Sequence, residues 1–249
     1  LTPSSRKCTF EHVNILYGGN YKGYGDDCAL KTEADTLMMK NSLIRHSGRH
    51  GITLRSNTNY ASLDHVTLED NLGSGLLAYQ ANDYMLEINN SNIMSNVIYG
   101  LDIRHNINFT IKNSTFGSNT AGFMVLHPNV VGGIDSTNSF TSPGPIEVLT
   151  GDITEYSYWH GWDSAWYYIN NSIKVYGTEE FPTTMHIGKG AELRFMKASN
   201  SILQIGDGTK LGNLFVTGTE EAPVTFTSVA QEPAHGDWRY ILLTPSARK

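Results

Sequence analysis

Ile88-Asn89-Asn90-Ser91-Asn92-Ile93, followed by Asn96 and then Gly100-Leu101-Asp102-Ile103, is the stretch that decides the fold. It runs as an apolar anchor, an Asn-Ser pair, a second apolar residue, an Asn bend, a glycine and an apolar–x–apolar segment. Three other stretches have the same pattern. Met39-Lys40-Asn41-Ser42-Leu43-Ile44 leads to Ser47 and Gly51-Ile52-Thr53-Leu54. Leu63-Asp64-His65-Val66-Thr67-Leu68 leads to Asn71 and Gly75-Leu76-Leu77-Ala78. Ile111-Lys112-Asn113-Ser114-Thr115-Phe116 leads to Asn119 and Gly122-Phe123-Met124-Val125. The first anchors, at 39, 63, 88 and 111, are spaced 24, 25 and 23 residues apart, and a fifth copy, Phe10-Glu11-His12-Val13-Asn14-Ile15, precedes them by 29. A glycine-rich loop, residues 18–27, takes up the excess.

Apolar and polar residues alternate within each copy in short runs, the period-2 signature of strands rather than the 3.6 spacing of helices. A repeat of this length with two or three short strands between Asn/Gly bends is one coil of a parallel β-solenoid, and the chain has room for about ten. At a coil spacing of about 4.8 Å, such a stack would be roughly 50 Å long. One coil cannot stand alone. It buries about six apolar side chains at roughly 1.5–3 kcal/mol each, against a backbone entropy cost of roughly 1–2 kcal/mol for each of its residues. Stacking supplies the missing hydrogen bonds and covers both edges. The Asn at each bend is expected to stack amide on amide along the axis.

Composition agrees with a turn-dense β protein. Of 249 residues 24 are glycine, tyrosine (13) outnumbers phenylalanine (9), and charged residues make up only 17%; Gly and Asn favour tight and left-handed bends. The net charge of −6 argues against nucleic acid, whose phosphates need a basic patch. No apolar run reaches the roughly 18–20 residues that span a bilayer. Cys8 and Cys28, the two cysteines, lack zinc-site spacing; a disulfide between them and two buried thiols are both consistent with the sequence.

The period fades at Pro143-Gly144-Pro145, and an aromatic cluster from Tyr156 to Tyr168 follows. Three segments are therefore expected: regular coils over 1–142, an aromatic-rich interruption over 143–171, and a second set of coils over 172–249. In the last segment, Met185-His186-Ile187-Gly188-Lys189-Gly190-Ala191-Glu192-Leu193-Arg194-Phe195 is similar to a coil of bacterial surface β-helix proteins. Gly212-Asn213-Leu214-Phe215-Val216-Thr217-Gly218-Thr219, then Ala222-Pro223-Val224-Thr225-Phe226-Thr227-Ser228 and Gly236-Asp237-Trp238, resemble their recurring signature. The chain thus resembles right-handed parallel β-helix repeat proteins of the pectate-lyase-like superfamily, in the surface-protein branch. The resemblance implies an all-β, single-stranded right-handed parallel β-helix in an extracellular or cell-surface setting.

Leu1-Thr2-Pro3-Ser4-Ser5-Arg6-Lys7 nearly recurs as Leu243-Thr244-Pro245-Ser246-Ala247-Arg248-Lys249, 242 residues later. A unit that closes as it opens can be laid head to tail. The expected partners are therefore copies of the chain or adjacent repeats, meeting through Leu1, Cys8, Phe10, Val13 and Ile15 at one end. Trp238, Tyr240, Ile241 and Leu243 serve the other end. The expected role is structural or adhesive rather than enzymatic.

A carbohydrate-active module, either a polysaccharide lyase or a glycan binder, is the competing expectation. In the strand after each repeated glycine, alternation points Thr53, Arg55, Leu77, Tyr79, Asp102, Arg104, Met124 and Leu126 outward, with His105 and His127 just beyond. A glycosidase needs two facing carboxylates, and this strip offers only Asp102. Asp102 and Arg104 are expected to form a solvated ion pair. Arg55, Tyr79, Asp102 and Arg104 are candidate glycan contacts, with Trp159 and Trp162 from the aromatic cluster, although such a cluster more often plugs an interrupted solenoid. No cofactor is expected. If a metal binds, it is calcium at Asp26 and Asp27, since hard cations want clustered carboxylates.

Overall fold

The structure is a computed structural model that describes residues 6–20, 27–79, 84–197 and 201–248. It is built from short strands stacked in parallel on their neighbours, with one 3-10 helix among the described residues, Pro128–Gly133. The chain separates into two compact units. The first comprises Leu1–Val125 and Asp135–Gly144, the second Leu126–Ile134 and Pro145–Lys249.

In the first unit the repeated anchors lie in columns. One sheet stacks Lys7–Glu11, Thr36–Arg45, Tyr60–Glu69, Met85–Asn89 and Asn108–Lys112, so that Phe10, Met39, Leu63, Ile88 and Ile111 are successive register partners. Ile15, Ile44, Leu68, Ile93, Phe116 and Phe140 form a second column. Met39, Leu63, Ile88, Ile111, Ile44, Ile93 and Phe116 are wholly inaccessible to solvent. The column ends in a phenylalanine cluster, with the Phe116 and Phe140 rings 5.6 Å apart and Phe123 4.7 Å from Phe140. The other sheet stacks Cys28–Thr32, His50–Leu54, Leu76–Ala78 and Tyr99–Ile103 in the same order.

Two bends per turn are made by residues in the left-handed region. His12, Asn41, His65, Asn90 and Asn113 form one series, and Tyr17, His46, Asp70, Ser95 and Ser118 the other, all with φ between 47° and 58°. This conformation costs an L-residue roughly 1–2 kcal/mol, less for Asn and Asp, whose side chains bond locally. The expected asparagine stack lies beside the second bend. Asn71 Nδ2 donates to Asn96 Oδ1 and Asn96 Nδ2 to Asn119 Oδ1, each at 2.9 Å. The backbone amides of Ser47, Asn71 and Asn96 donate to the same oxygens of the next turn. At the first bend serines do similar work: the amides of Val66 and Ser91 donate to Ser91 Oγ and Ser114 Oγ, both at 3.1 Å.

The second unit has three sheets. Ala165–Ile169, Glu192–Phe195 and Thr225–Ser228 stack in one. Gly151–Ile153, Ile173–Val175, Ile202–Ile205 and Tyr240–Leu243 form another. Ser157–Trp159, Thr183–Gly188, Gly212–Thr217 and Ala247–Arg248 form the third. Its core includes Ile153, Val175, Ile187, Ile205 and the ring pair Trp159–Tyr167, 4.6 Å between centroids.

Two expectations need correction, and one open alternative is resolved. Residues 143–171 are not an interruption: they carry the strands Gly144–Val148, Gly151–Ile153, Ser157–Trp159 and Ala165–Ile169. Their aromatic residues hid an ordinary in–out alternation, because both faces are aromatic. The chain makes about eight turns rather than ten. Register partners 24 residues apart in the first unit (Thr36 and Tyr60) become 29 apart for Thr183 and Gly212 and 38 apart for Ile202 and Tyr240, so loops consume the difference. Cys8 and Cys28, both half-buried, form no disulfide; they sit on different sheets, paired with Leu37 and His50.

Candidate functional site

The strip expected to face solvent on the second sheet of the first unit is largely covered. Thr53, Leu77 and Asp102 are register partners as alternation requires. Yet Thr53 and Met124 are fully buried, Asp102 is 5% exposed, and Leu126, expected in the same series, is also inaccessible. Asp102 is therefore no solvated surface group. Arg104 clamps it with both edges of its guanidinium, Nε to Oδ1 at 2.8 Å and Nη2 to Oδ2 at 3.1 Å, while the arginine itself stays half exposed. Such bidentate geometry is the strong form of a carboxylate–arginine contact.

Around this pair the fold opens a cavity of about 340 Å³, lined among others by Arg49, His50, Tyr79, Asp102, Arg104 and His105. His50 is held in place by its Nδ1, which accepts the Ser74 amide at 3.0 Å and so carries its ring proton on Nε2. Arg49 Nε is buried with no hydrogen-bond partner among the described residues. Arg55 lies over the Tyr79 ring at 4.7 Å, with its Nε 3.6 Å from Glu33. The lining holds one carboxylate, already engaged by Arg104, beside two arginines and two histidines. It can grip an anionic or hydroxyl-rich group, and it lacks the paired carboxylates of acid–base hydrolysis. The sequence pointed to Arg55, Tyr79, Asp102 and Arg104; Gly48-Arg49-His50-Gly51 bears only a faint likeness to a Gly-His-Gly motif, so Arg49 and His50 were not among the candidate contacts.

The remaining candidates fall elsewhere. Trp159 is fully buried, with its Nε1 donating to Ser157 Oγ at 2.9 Å, so it cannot stack on a sugar. Trp162 is half-buried, 6.0 Å from the His160 ring. Asp26 and Leu1 lie outside the described residues. The Asp27 carboxylate is 3.7 Å from Lys31 Nζ. Among the described residues no group of three His, Cys, Asp or Glu side chains is placed to hold a metal ion.

At the solenoid ends the buried columns emerge. Leu37, Met39 and Ile44 are fully buried, whereas their partners one turn out, Cys8, Phe10 and Ile15, are half-buried, as is Val13. In the second unit Ile205 is 1% exposed and its partner Leu243 64%. Ile187 is inaccessible and its partner Val216 is 42% exposed. Ile241 is half-buried over Leu203. Trp238 stacks flat on Phe195, 4.5 Å between centroids at 12°. Tyr240, also named for this end, partners Ile202 on the outer side of the strand, with Arg239 over its ring.

No helix among the described residues is long and apolar enough to cross a membrane. No curated protein and no solved structure matches the chain significantly. The family model described as "Right handed beta helix region" matches residues 2–141. That span exceeds half of the chain and coincides with the anchor columns, the asparagine stack and the parallel sheets. The chain therefore belongs to the right-handed β-helix family.

Proposed function

We propose that this chain is an extracellular, non-enzymatic β-solenoid module, structural or adhesive, that stacks end to end with copies of itself or with adjacent repeats. The observation that carries it is the behaviour of the columns. Inner residues that are sealed at Leu37, Met39, Ile187 and Ile205 are laid open one turn further out, at Cys8, Phe10, Val216 and Leu243. The end strands Lys7–Glu11 and Tyr240–Leu243 each pair along one edge only, among the described residues. Apolar strand edges of this kind are templates for further strands. Another turn of the same kind would cover them, each fully buried side chain contributing roughly 1.5–3 kcal/mol. The near-repeat of Leu1–Lys7 at Leu243–Lys249 supports a matched register.

Sedimentation velocity over a range of concentrations tests this. The expected result is reversible growth into linear oligomers, reduced by Leu243→Asp and abolished by removing residues 237–249. A chain that stays monomeric at every concentration would overturn the reading.

A second reading, a polysaccharide lyase or glycan binder, is favoured by the cavity and by the buried Arg49 Nε, which has no hydrogen-bond partner among the described residues. Incubation with polygalacturonate and with neutral polysaccharides, with and without calcium, separates the two. Ultraviolet absorbance from unsaturated products, lost in Arg104→Ala, would put the enzyme first.

A further inference from the structure

We propose that a side face of the second unit, on the sheet Ser157–Trp159, Thr183–Gly188 and Gly212–Thr217, binds a linear, uncharged glycan by ring stacking. Tyr158, His186 and Phe215 are successive register partners on this sheet. Their rings follow one another at 4.5 and 6.1 Å. His160 extends the row at 4.5 Å from Tyr158, and Trp162 at 6.0 Å from His160. One ring per turn repeats at about the 4.8 Å strand spacing, which is about the length of one pyranose in an extended chain. Phe215 is 45% exposed.

Beside the row, Thr184 borders a cleft of about 580 Å³. Tyr156 and Phe181, 65% and 72% exposed, stand at its rim. The two rings border one concave surface instead of lying singly on the outside. Phe181 is held out by its own turn: Thr178 donates its amide to Phe181 O at 2.9 Å, and Thr178 Oγ1 accepts the Phe181 amide at 2.9 Å. A preformed rim loses little freedom on binding. The hydroxyls of Thr178 and Thr184, and Asn213 Nδ2 bonded to Thr184 Oγ1 at 3.1 Å, supply polar groups at the edge.

Charge selects the occupant. Glu155 is the one charged side chain of the cleft lining and there is no cation, so an acidic polysaccharide or a phosphate would be repelled. Flat rings flanked by hydroxyls suit the apolar faces and equatorial hydroxyls of a neutral sugar chain. The face is lateral, so this binding is independent of end-to-end stacking.

Affinity electrophoresis through gels of hydroxyethylcellulose, mixed-linkage β-glucan and xylan tests it, with polygalacturonate gels and phosphatidylcholine vesicles as controls. The expected result is retardation in at least one neutral gel and none in polygalacturonate. The exposed pair Tyr156→Ala/Phe181→Ala should weaken that binding about tenfold or more, with an unchanged circular dichroism spectrum, and His186→Ala should weaken it separately. Free migration in all three neutral gels, retardation unaltered by the double variant, or binding to vesicles in place of glycan would each overturn the proposal.

Discussion

Asn96 Oδ1 accepts two hydrogen bonds from Asn71, one from the side-chain amide at 2.9 Å and one from the backbone at 3.3 Å. Asn96 in turn donates to Asn119 Oδ1 and to Leu68 O. Four polar groups of the two flanking turns are thus satisfied by one wholly buried side chain.

Asn96→Ala is accordingly expected to destabilise the first unit by about 2–4 kcal/mol, because each orphaned buried group costs roughly 1–3 kcal/mol, partly recovered by relaxation. Urea unfolding followed by circular dichroism measures it. A loss under about 0.5 kcal/mol, the size of a neutral surface change, would show that the stack is decorative.

Glycine substitutions should have opposite signs at two neighbouring places. A Cβ on Gly75 would lie 2.8 Å from Gly100 O and 3.1 Å from Asn96 Nδ2, so Gly75→Ala should cost about 1–3 kcal/mol by crowding. Ser95 is exposed at φ 58°. Ser95→Gly relieves a left-handed strain of roughly 1–2 kcal/mol against an entropy loss of about 0.5–1 kcal/mol. Its melting temperature should match or slightly exceed that of the parent chain.

Arg104→Ala leaves Asp102 almost buried without its clamp. The expected cost is about 1–2 kcal/mol, below the roughly 3–5 kcal/mol of a fully buried broken pair, since the arginine is 51% exposed and screened. Asp102→Asn/Arg104→Ala should recover part of it. Thermal unfolding of the two variants side by side decides the matter.

The loop before the strand Tyr240–Leu243 should loosen in acid. The Ala234 amide, then Lys197 and Ser228, hold the Asp237 carboxyl down at about 2. The folded value lies below the unfolded one, so the stabilisation is complete above about pH 4 and is lost as pH falls from about 4 toward 2. Trp238, next in sequence and stacked on Phe195, reports it. Its fluorescence should change across that interval, and Asp237→Asn should flatten the titration.

Much of this was legible in the residues. The spacing of Met39, Leu63, Ile88 and Ile111 stated which side chains would stack, and the structure pairs them in that order. The bend asparagines Asn71, Asn96 and Asn119 were equally readable, because a side chain that must bond its own kind one turn away has to recur at the period. The pairing of Asp102 with Arg104 was visible from their two-residue spacing.

Alternation determined only which side of its strand a residue faces. Whether that side meets water depends on what the neighbouring turns bring beside it, and no local pattern carries that information. Thr53 and Asp102 point outward and are covered, whereas Trp159, read as a ligand contact, points inward. Period and chemistry were thus written along the chain, because each turn repeats the last. The cavity around Arg49, the row of rings on the second unit and the register of 143–171 were decided only by stacking, since they join residues from different turns.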